Sequence, residues 1–242
     1  MQKIRPDKTW FYFYKSLPFL KVTLIYVLVS LILGFIIGAI VAKGKMSKHK
    51  LLRALASIYV SVTRCTPSIV LLFLVFYGLP AVLYDSFGID INGIDTVFFV
   101  CITFSIFLGA SSSEIIRGAY EAVSKGQFEA GLSVGLSEFQ TFIRIILPQM
   151  LKFAMPNIGN MVIFMFKEGA LCYTIGLRDV LGEAYFLSSK EFNAYSLSMY
   201  IALTFIYWPI TIILERLFGY FEKKLTPKLS NEELTPKLGE EA

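Results

Sequence analysis

The sequence contains few charged residues for its length. Asp, Glu, Lys and Arg make up 17% of its 242 residues, whereas 55% of the residues are hydrophobic. Soluble domains carry roughly 25% charged residues, so this composition excludes an ordinary water-soluble domain. The formal net charge of +5 does not indicate nucleic-acid binding, because every basic cluster lies beside a long apolar run.

The sequence also has too few histidines and cysteines for several kinds of site. His49 is the only histidine, and Cys65, Cys101 and Cys172 lie far apart with no C-x-x-C pair. We therefore predict no metal site and no disulfide framework. Neither a G-x-x-x-x-G-K-[ST] phosphate-binding loop nor an H-E-x-x-H motif occurs. We predict that the chain has no catalytic residues and binds no cofactor itself.

Five long apolar runs are present instead. Each is close to the roughly 20 residues that a helix needs to cross the hydrocarbon core of a bilayer. The runs are residues 22–42, 65–84, 96–113, 153–177 and 194–214. The fourth run is interrupted by Lys167 and Glu168. The sequence therefore predicts an all-α integral membrane protein with about five transmembrane helices, which together form a domain over residues 22–220.

Lysine and arginine are distributed unevenly between the two sides that five spans define. The side that includes residues 43–53, residues 117–152 and the C-terminal tail carries fourteen of them, and the opposite side carries seven. Cytoplasmic loops are enriched in Lys and Arg, so we expect a cytoplasmic C-terminus and an external N-terminus. Residues 1–21 are predicted to be an external segment, either lying in the membrane interface or unstructured. Residues 221–242 are predicted to be a flexible cytoplasmic tail.

Residues 124–148, on the predicted cytoplasmic side, have the pattern of two short helices joined by a tight turn. Gly135 suits a left-handed residue after the first helix, and Pro148 is expected to end the second helix. Capping-box spacing marks both helix starts, in Ser124 with Gln127 and in Ser137 with Gln140. This segment, here named the knob, either packs on its own membrane domain or projects toward a partner.

The second knob helix carries an apolar stripe that needs an apolar surface to cover it. The stripe consists of Phe139, Phe142, Ile143, Ile146 and Leu147. Its periodicity is compatible with both interpretations of the knob.

The knob resembles a motif of a known family. Glu129-Ala130-Gly131, followed by Gly135 and then by Ile145-Ile146-Leu147-Pro148, is similar to the EAA motif of ABC importer permeases. In that family the loop forms a coupling helix that docks on the ATPase subunit. The resemblance implies the type I ABC importer permease fold and an ATPase-docking set of Glu129, Ala130, Gly131, Gly135, Ile145, Leu147 and Pro148. The family usually has Ala where this chain has Gly131, and we expect the change to loosen the helix slightly.

Two more stretches resemble the permeases for polar amino acids, of the histidine, glutamine, arginine and cystine type. They are Arg64-Cys65-Thr66-Pro67 and Glu114-Ile115-Ile116-Arg117-Gly118. Residues 167–171 depart from the family, because the hydroxyl side chains usual there are missing. The resemblance implies a protein of the bacterial cytoplasmic membrane that works by alternating access. Its implied partners are ABC ATPase subunits that bind ATP and Mg, a second permease copy or a paralogue, an extracellular substrate-binding protein and the lipid bilayer.

Polar side chains near or inside the apolar runs are candidates for the substrate path, because ionisable groups in membrane spans usually face a cavity or a partner. The candidates are Arg64, Thr66, Glu114, Lys167 and Glu168. Inter-helix ion pairs that only hold the spans together are the alternative for Lys167 and Glu168. A bridge to Arg117 at i, i+3 is the alternative for Glu114.

Two small features predict how the spans pack. Gly34 and Gly38 form a G-x-x-x-G step that permits close helix contact in the first span. Pro67 is expected to kink the second span, because proline removes a backbone hydrogen bond.

Two other functions are compatible with a multi-span chain. An ion-gradient-driven secondary transporter would be expected to show an internal repeat, which we do not find. A membrane scaffold would leave the knob and the ionisable pair of the fourth span unexplained.

Overall fold

The computed structural model describes residues 4–225, and within this range the chain is helical between short connections. The α-helices are α1 Pro6–Ser16, α2 Leu20–Lys45, α3 Lys50–Cys65, α4 Ser68–Phe73, α5 Leu79–Phe87, α6 Thr96–Ala122, α7 Lys125–Ser133, α8 Glu138–Thr141, α9 Leu147–Glu168, α10 Val180–Lys190 and α11 Ser196–Leu225. Two 3₁₀ segments (Leu17–Phe19 and Gly169–Ile175) and two π-helical turns (Leu74–Gly78 and Phe142–Ile146) join some of them. The predicted all-α architecture is confirmed.

Four helical segments of the described range are long and apolar enough to cross a membrane. They are Pro6–Lys45, Ser68–Phe87, Thr96–Ala122 and Ser196–Leu225. The other predicted span, residues 153–177, is not one unbroken helix, because α9 ends at Glu168 and a 3₁₀ segment follows. Helix α9 nevertheless packs in the core, where Met165 and Phe166 are fully buried.

Helices α2 and α6 form the most extensive helix pair, and small residues bring them together. A Cβ atom on Gly34 would lie 2.5 Å from the Leu108 Cβ, and one on Gly38 would lie 2.0 Å from the Ser112 Oγ. The Ser112 hydroxyl donates a hydrogen bond to the Gly34 carbonyl at 3.0 Å. Close contact at the G-x-x-x-G step is therefore confirmed.

The main apolar core lies where α2, α6 and α9 meet the 3₁₀ segment that follows α9. Tyr26, Phe104, Phe166 and Cys172 are buried there together. The Tyr26 and Phe104 rings stack at 6.2 Å. This core fixes α9 against the two most tightly packed spans and therefore positions the polar side chains that α9 carries.

The second predicted span starts later than its apolar run, because the chain breaks at Thr66 and Pro67. Helix α3 ends at Cys65, Thr66 is extended (φ −90°, ψ 127°), and α4 starts at Ser68. The residue before a proline is disfavoured in the α region, which explains a full break where we predicted a kink. The Thr66 N–H and hydroxyl both donate to the Val62 carbonyl at the end of α3, at 3.1 and 2.7 Å.

Pro148 does not end the second knob helix, contrary to the prediction. It is the second residue of α9, which continues α8 through the π-helical turn Phe142–Ile146. The other π-helical turn, Leu74–Gly78, stands in the same position before Pro80. A widened turn accommodates the missing N–H and the bulk of the proline ring, so the helix continues instead of stopping.

The N-terminal helix packs against the last helix and its preceding turn. The Tyr12 hydroxyl donates to Glu191 at 2.9 Å, and Lys8 also donates to this carboxylate. The Arg5 N–H donates to the Ser198 hydroxyl at 3.1 Å. Only a 3₁₀ turn separates α1 from α2, so the structure has no break at the predicted boundary of residues 21 and 22.

Helix α11 runs to Leu225, past the predicted start of the tail at residue 221. The rest of the predicted tail, residues 226–242, lies outside the described residues.

Candidate coupling surface and substrate path

The knob has the predicted helix–turn–helix form. Gly135 is left-handed (φ 83°), and its N–H donates to the Leu132 carbonyl at 3.0 Å. The capping box of Ser137 and Gln140 is present in both directions. The predicted box at Ser124 is wrong, since the Ser124 side chain makes no capping hydrogen bond. The amide of its supposed partner, Gln127, instead accepts from Gln149 Nε2 at 3.4 Å.

Gly131 lies at the closest approach of the two knob helices. It is buried, and a Cβ atom built on it would lie 2.5 Å from Thr141 Cγ2 and 2.8 Å from Thr141 Oγ1. The Ile145 Cδ1 would be 3.1 Å away. The glycine therefore has a packing role between the helices that the sequence prediction of a looser helix did not include.

The knob packs on its own domain with one face and leaves the other face free. Ile146 and Met150 are buried against Ala119 and Val123 of α6 and its C-terminal cap. Phe139, also from the predicted stripe, is 73% exposed. Packing on the membrane domain is therefore confirmed for one face, and the partner interpretation stays a prediction for the other.

The predicted docking residues divide between these faces. Glu129, Ala130, Gly135 and Pro148 are exposed, Ile145 and Leu147 are half-buried, and Gly131 is buried. Val134, beside the turn, is 76% exposed. The exposed residues of the knob thus include the Glu129 carboxylate and several apolar side chains.

A second feature is a cavity of about 460 Å³ between α3, α6 and α9. Its lining combines charged, amide and apolar side chains, namely Arg64, Ser111, Glu114, Ile115, Asn157, Asn160, Met161 and Phe164. We call this space the α9 cavity. The structure thus brings together two of the candidate path residues, Arg64 and Glu114. The other three candidates, Thr66, Lys167 and Glu168, do not line it.

The carboxylate of Glu114 is fully engaged by basic neighbours. Its Oε2 accepts from Arg117 at 2.7 and 3.1 Å, and its Oε1 accepts from Lys45 of α2. Arg117 also pairs with Glu121 at 2.6 Å. The predicted i, i+3 bridge is confirmed and extends to a second helix. The side chain of Arg64 differs, since it has no hydrogen-bond or ion-pair partner within residues 4–225.

Lys167 and Glu168 do not pair with each other or with opposite charges elsewhere in the described residues. Glu168 accepts a hydrogen bond from the Ser68 hydroxyl, just after the break at Pro67. Lys167 is exposed on α9. It follows Asn160 by seven residues, so the two side chains lie within about 20° of each other on the helix surface, roughly 10 Å apart along its axis.

Comparison with known proteins identifies the family to which the chain belongs. The family model described as "Binding-protein-dependent transport system inner membrane component" matches residues 34–227. The chain is a member of this permease family. The match covers most of the chain, including the knob and the α9 cavity, and it establishes a multi-pass inner membrane protein.

The relatives of this permease are amino-acid transport proteins. It is 39% identical over 207 residues to the L-cystine transport system permease protein TcyL of Bacillus subtilis, covering 86% of this chain and 85% of that one. It is 35% identical to the probable amino-acid ABC transporter permease protein YckA of Bacillus subtilis, covering 84% and 85%. A crystal structure of an amino acid ABC transporter with histidines has a TM-score of 0.78 and 29% identity, covering 92% of this chain and 99% of that chain.

These findings establish a permease subunit of an ABC amino-acid importer, the non-catalytic membrane component of a binding-protein-dependent system. They decide against the ion-gradient-driven transporter and the scaffold.

Asn157 and Asn160 of this permease were missed by the sequence interpretation. Both are exposed, both line the α9 cavity, and they stand at i, i+3 on α9. Their spacing inside a predicted span was a detectable signal, because amides within a span also seek polar partners. The predicted path residues include only charged and hydroxyl side chains, so the amides are not among them.

Proposed function

We propose that this permease imports a polar amino acid through the α9 cavity, driven by separate ATPase subunits that dock on the knob. The observation that carries the proposal is the unbroken helical course from Glu138 to Glu168. Its first part carries Phe139 of the free face of the knob, and its last part carries Asn157, Asn160 and Lys167. A movement of the knob is therefore transmitted by backbone continuity to the residues of the proposed path.

Docking would use the free face of the knob. Glu129 and Phe139 offer a carboxylate and a large exposed ring there, and such a mixture suits a groove with an apolar centre and a basic rim. ATP and Mg²⁺ would be bound by the ATPase, since this chain has no phosphate-binding loop. Paired ATPases that close on ATP would move two knobs together.

The α9 cavity is open on one side, as expected of a path that a second subunit completes. Its exposed amides and Arg64 would face a second copy of this permease or a paralogue. An extracellular binding protein would deliver the amino acid to the outward-open state. The Bacillus subtilis relative named for L-cystine makes cystine one candidate among polar amino acids.

The proposed orientation places the knob in the cytoplasm and the N-terminus outside. The distribution of lysine and arginine supports it. The segment 88–95, which contains Asp90 and Asp95 and no basic residue, would then face the outside.

The proposal is tested by reversing one charge on the free face. Glu129→Lys should lower the amount of ATPase that co-purifies with the permease, because it changes the docking surface without changing a buried contact. Asp90→Lys, the same reversal on the opposite side of the membrane domain, is the matched control and should leave co-purification unchanged. Wild-type recovery of the ATPase with Glu129→Lys, at equal permease yield, would contradict the docking assignment.

A further inference from the structure

The charged groups around the α9 cavity leave an excess of positive charge. Both oxygens of Glu114 are occupied by Lys45 and Arg117, and Glu121 completes this network. Two cations and two carboxylates cancel within it. Arg64 lines the same cavity without a partner in the described range, and its guanidinium is suited to hold a carboxylate through two hydrogen bonds.

The other polar groups that line the α9 cavity beside Arg64 and Glu114 are uncharged. Asn157 and Asn160 present amides to the cavity from one face of α9. Ser111 adds a hydroxyl, whose proton is donated to the Phe107 carbonyl at 3.2 Å, so its oxygen is left as an acceptor. Lys167 stands farther along the Asn160 face and adds a second cation that has no ion-pair partner among residues 4–225.

Other carboxylates of the described residues lie off this surface. Glu168 is about 100° around the helix from Lys167 and accepts from Ser68. Glu215 and Glu222 line a separate, smaller cavity, which borders α9 at Gly159 and Asn160. A cationic substrate in the α9 cavity would therefore meet no free carboxylate there.

We infer that the α9 cavity selects amino acids without a net positive charge, with Arg64 binding the α-carboxylate and the Asn157–Asn160 pair binding a polar, uncharged side chain. This inference rests on the proposed function, because it takes the α9 cavity as the substrate path. The α-ammonium group donates to the Ser111 hydroxyl oxygen. A lysine or arginine side chain would add a positive charge beside Arg64 or Lys167.

Equilibrium dialysis of the purified permease–ATPase complex in detergent tests the inference without the selectivity of the binding protein. The probes, all radiolabelled, are L-arginine and two amino acids without net charge, L-glutamine and L-cystine, which we call the uncharged probes. The stronger of the two uncharged probes should bind at least about tenfold more tightly than L-arginine, because its side chain adds no positive charge beside Arg64 or Lys167. Arg64→Gln should reduce binding of that probe by about tenfold or more.

Adding a carboxylate should change the selected class. Asn157→Asp should raise the affinity for L-arginine by about tenfold and should not raise it for the uncharged probes. Asn92→Asp, the same substitution in the 88–95 segment, is the control and should leave all three affinities unchanged.

Several results would overturn the inference. Equal affinities of wild type for L-arginine and the uncharged probes would do so, as would no gain in Asn157→Asp. L-Arginine binding that disappears in Glu215→Gln would assign the path to the neighbouring acidic cavity. Binding of no probe, with ATP-driven uptake into proteoliposomes when the binding protein is added, would place selection outside the permease. Uptake of no amino acid under any condition would instead refute the proposed function itself.

Discussion

The packing at Gly131 gives a prediction whose size follows from the structure. Gly131→Ala adds a methyl group 2.5 Å from Thr141 Cγ2 and 2.8 Å from Thr141 Oγ1. Overpacking of this kind costs about 1–3 kcal/mol, whereas the higher helix propensity of alanine returns about 1 kcal/mol. The variant should therefore destabilise α7 by roughly 0–2 kcal/mol.

Two companion variants separate these terms. Gly126→Ala in the same helix meets only the Ser124 Oγ at 3.7 Å, so it should gain the propensity term alone. Thr141→Ala removes both crowding atoms, and its buried hydroxyl has no hydrogen-bond partner in the described residues. Combining Thr141→Ala with Gly131→Ala should restore stability, with a coupling on the order of 1–2 kcal/mol.

Amide hydrogen exchange of residues 125–133 in the permease–ATPase complex measures the local opening free energy. Exchange should slow in Gly126→Ala, quicken or stay unchanged in Gly131→Ala, and slow again in the double variant. If Gly131→Ala protects α7 as much as Gly126→Ala does, and Thr141→Ala adds independently, the close approach of the knob helices does not exist.

Three other predictions concern the membrane domain. Lys167→Met should lower amino-acid uptake in proteoliposomes without lowering the melting temperature, because Lys167 has no ion-pair partner in the described residues; a joint fall of both would indicate a structural role. The hydrogen bond from Lys8 lowers the pKa of Glu191 below its usual 4.5. The contribution of the ionised Glu191 carboxylate to folding stability is therefore fully present above pH 4.5. It is lost as the pH falls through the lower pKa that Glu191 has in the folded protein. The excess Tm of wild type over Glu191→Gln should vanish on acidification, and a pH-independent difference would refute the pairing. In a variant without native cysteines, a cysteine at Asn92 should react with a membrane-impermeant thiol reagent in intact cells and one at Ser47 should not; the reverse pattern would invert the topology.

Much of the fold could be predicted from the sequence because its main signals are local. An apolar run long enough to span a bilayer needs no knowledge of its neighbours, and neither does a left-handed glycine such as Gly135. The effects of proline were harder to predict. Pro67 ends a helix, whereas Pro148 continues one, and the difference is a π-helical turn before Pro148. No rule based on the proline alone distinguishes the two cases.

The candidate site was predictable only in part, because its chemistry depends on which helices meet. Arg64 and Glu114 could be recognised in the sequence as charges near membrane spans. Whether each is paired with an opposite charge could not. Glu114 is neutralised from α2 by Lys45, a residue 69 positions away, and Arg64 has no such neighbour in the part of the chain that the structure describes. Asn157 and Asn160 became candidate path residues only because the structure places them in the same cavity as Arg64.

The continuous helix from Glu138 to Glu168 can be regarded as a lever about 45 Å long. Its pivot is the point where Ile146 and Met150 pack against α6. About ten residues lie between that point and Glu138, and about twenty lie between it and Glu168. A rocking motion of the helix about that point would therefore displace the Glu168 end roughly twice as far as the knob end. Deleting a single residue between Glu138 and Ile146 would keep the helix continuous. It would rotate the knob end of the helix by about 100°, away from the proposed ATPase contact.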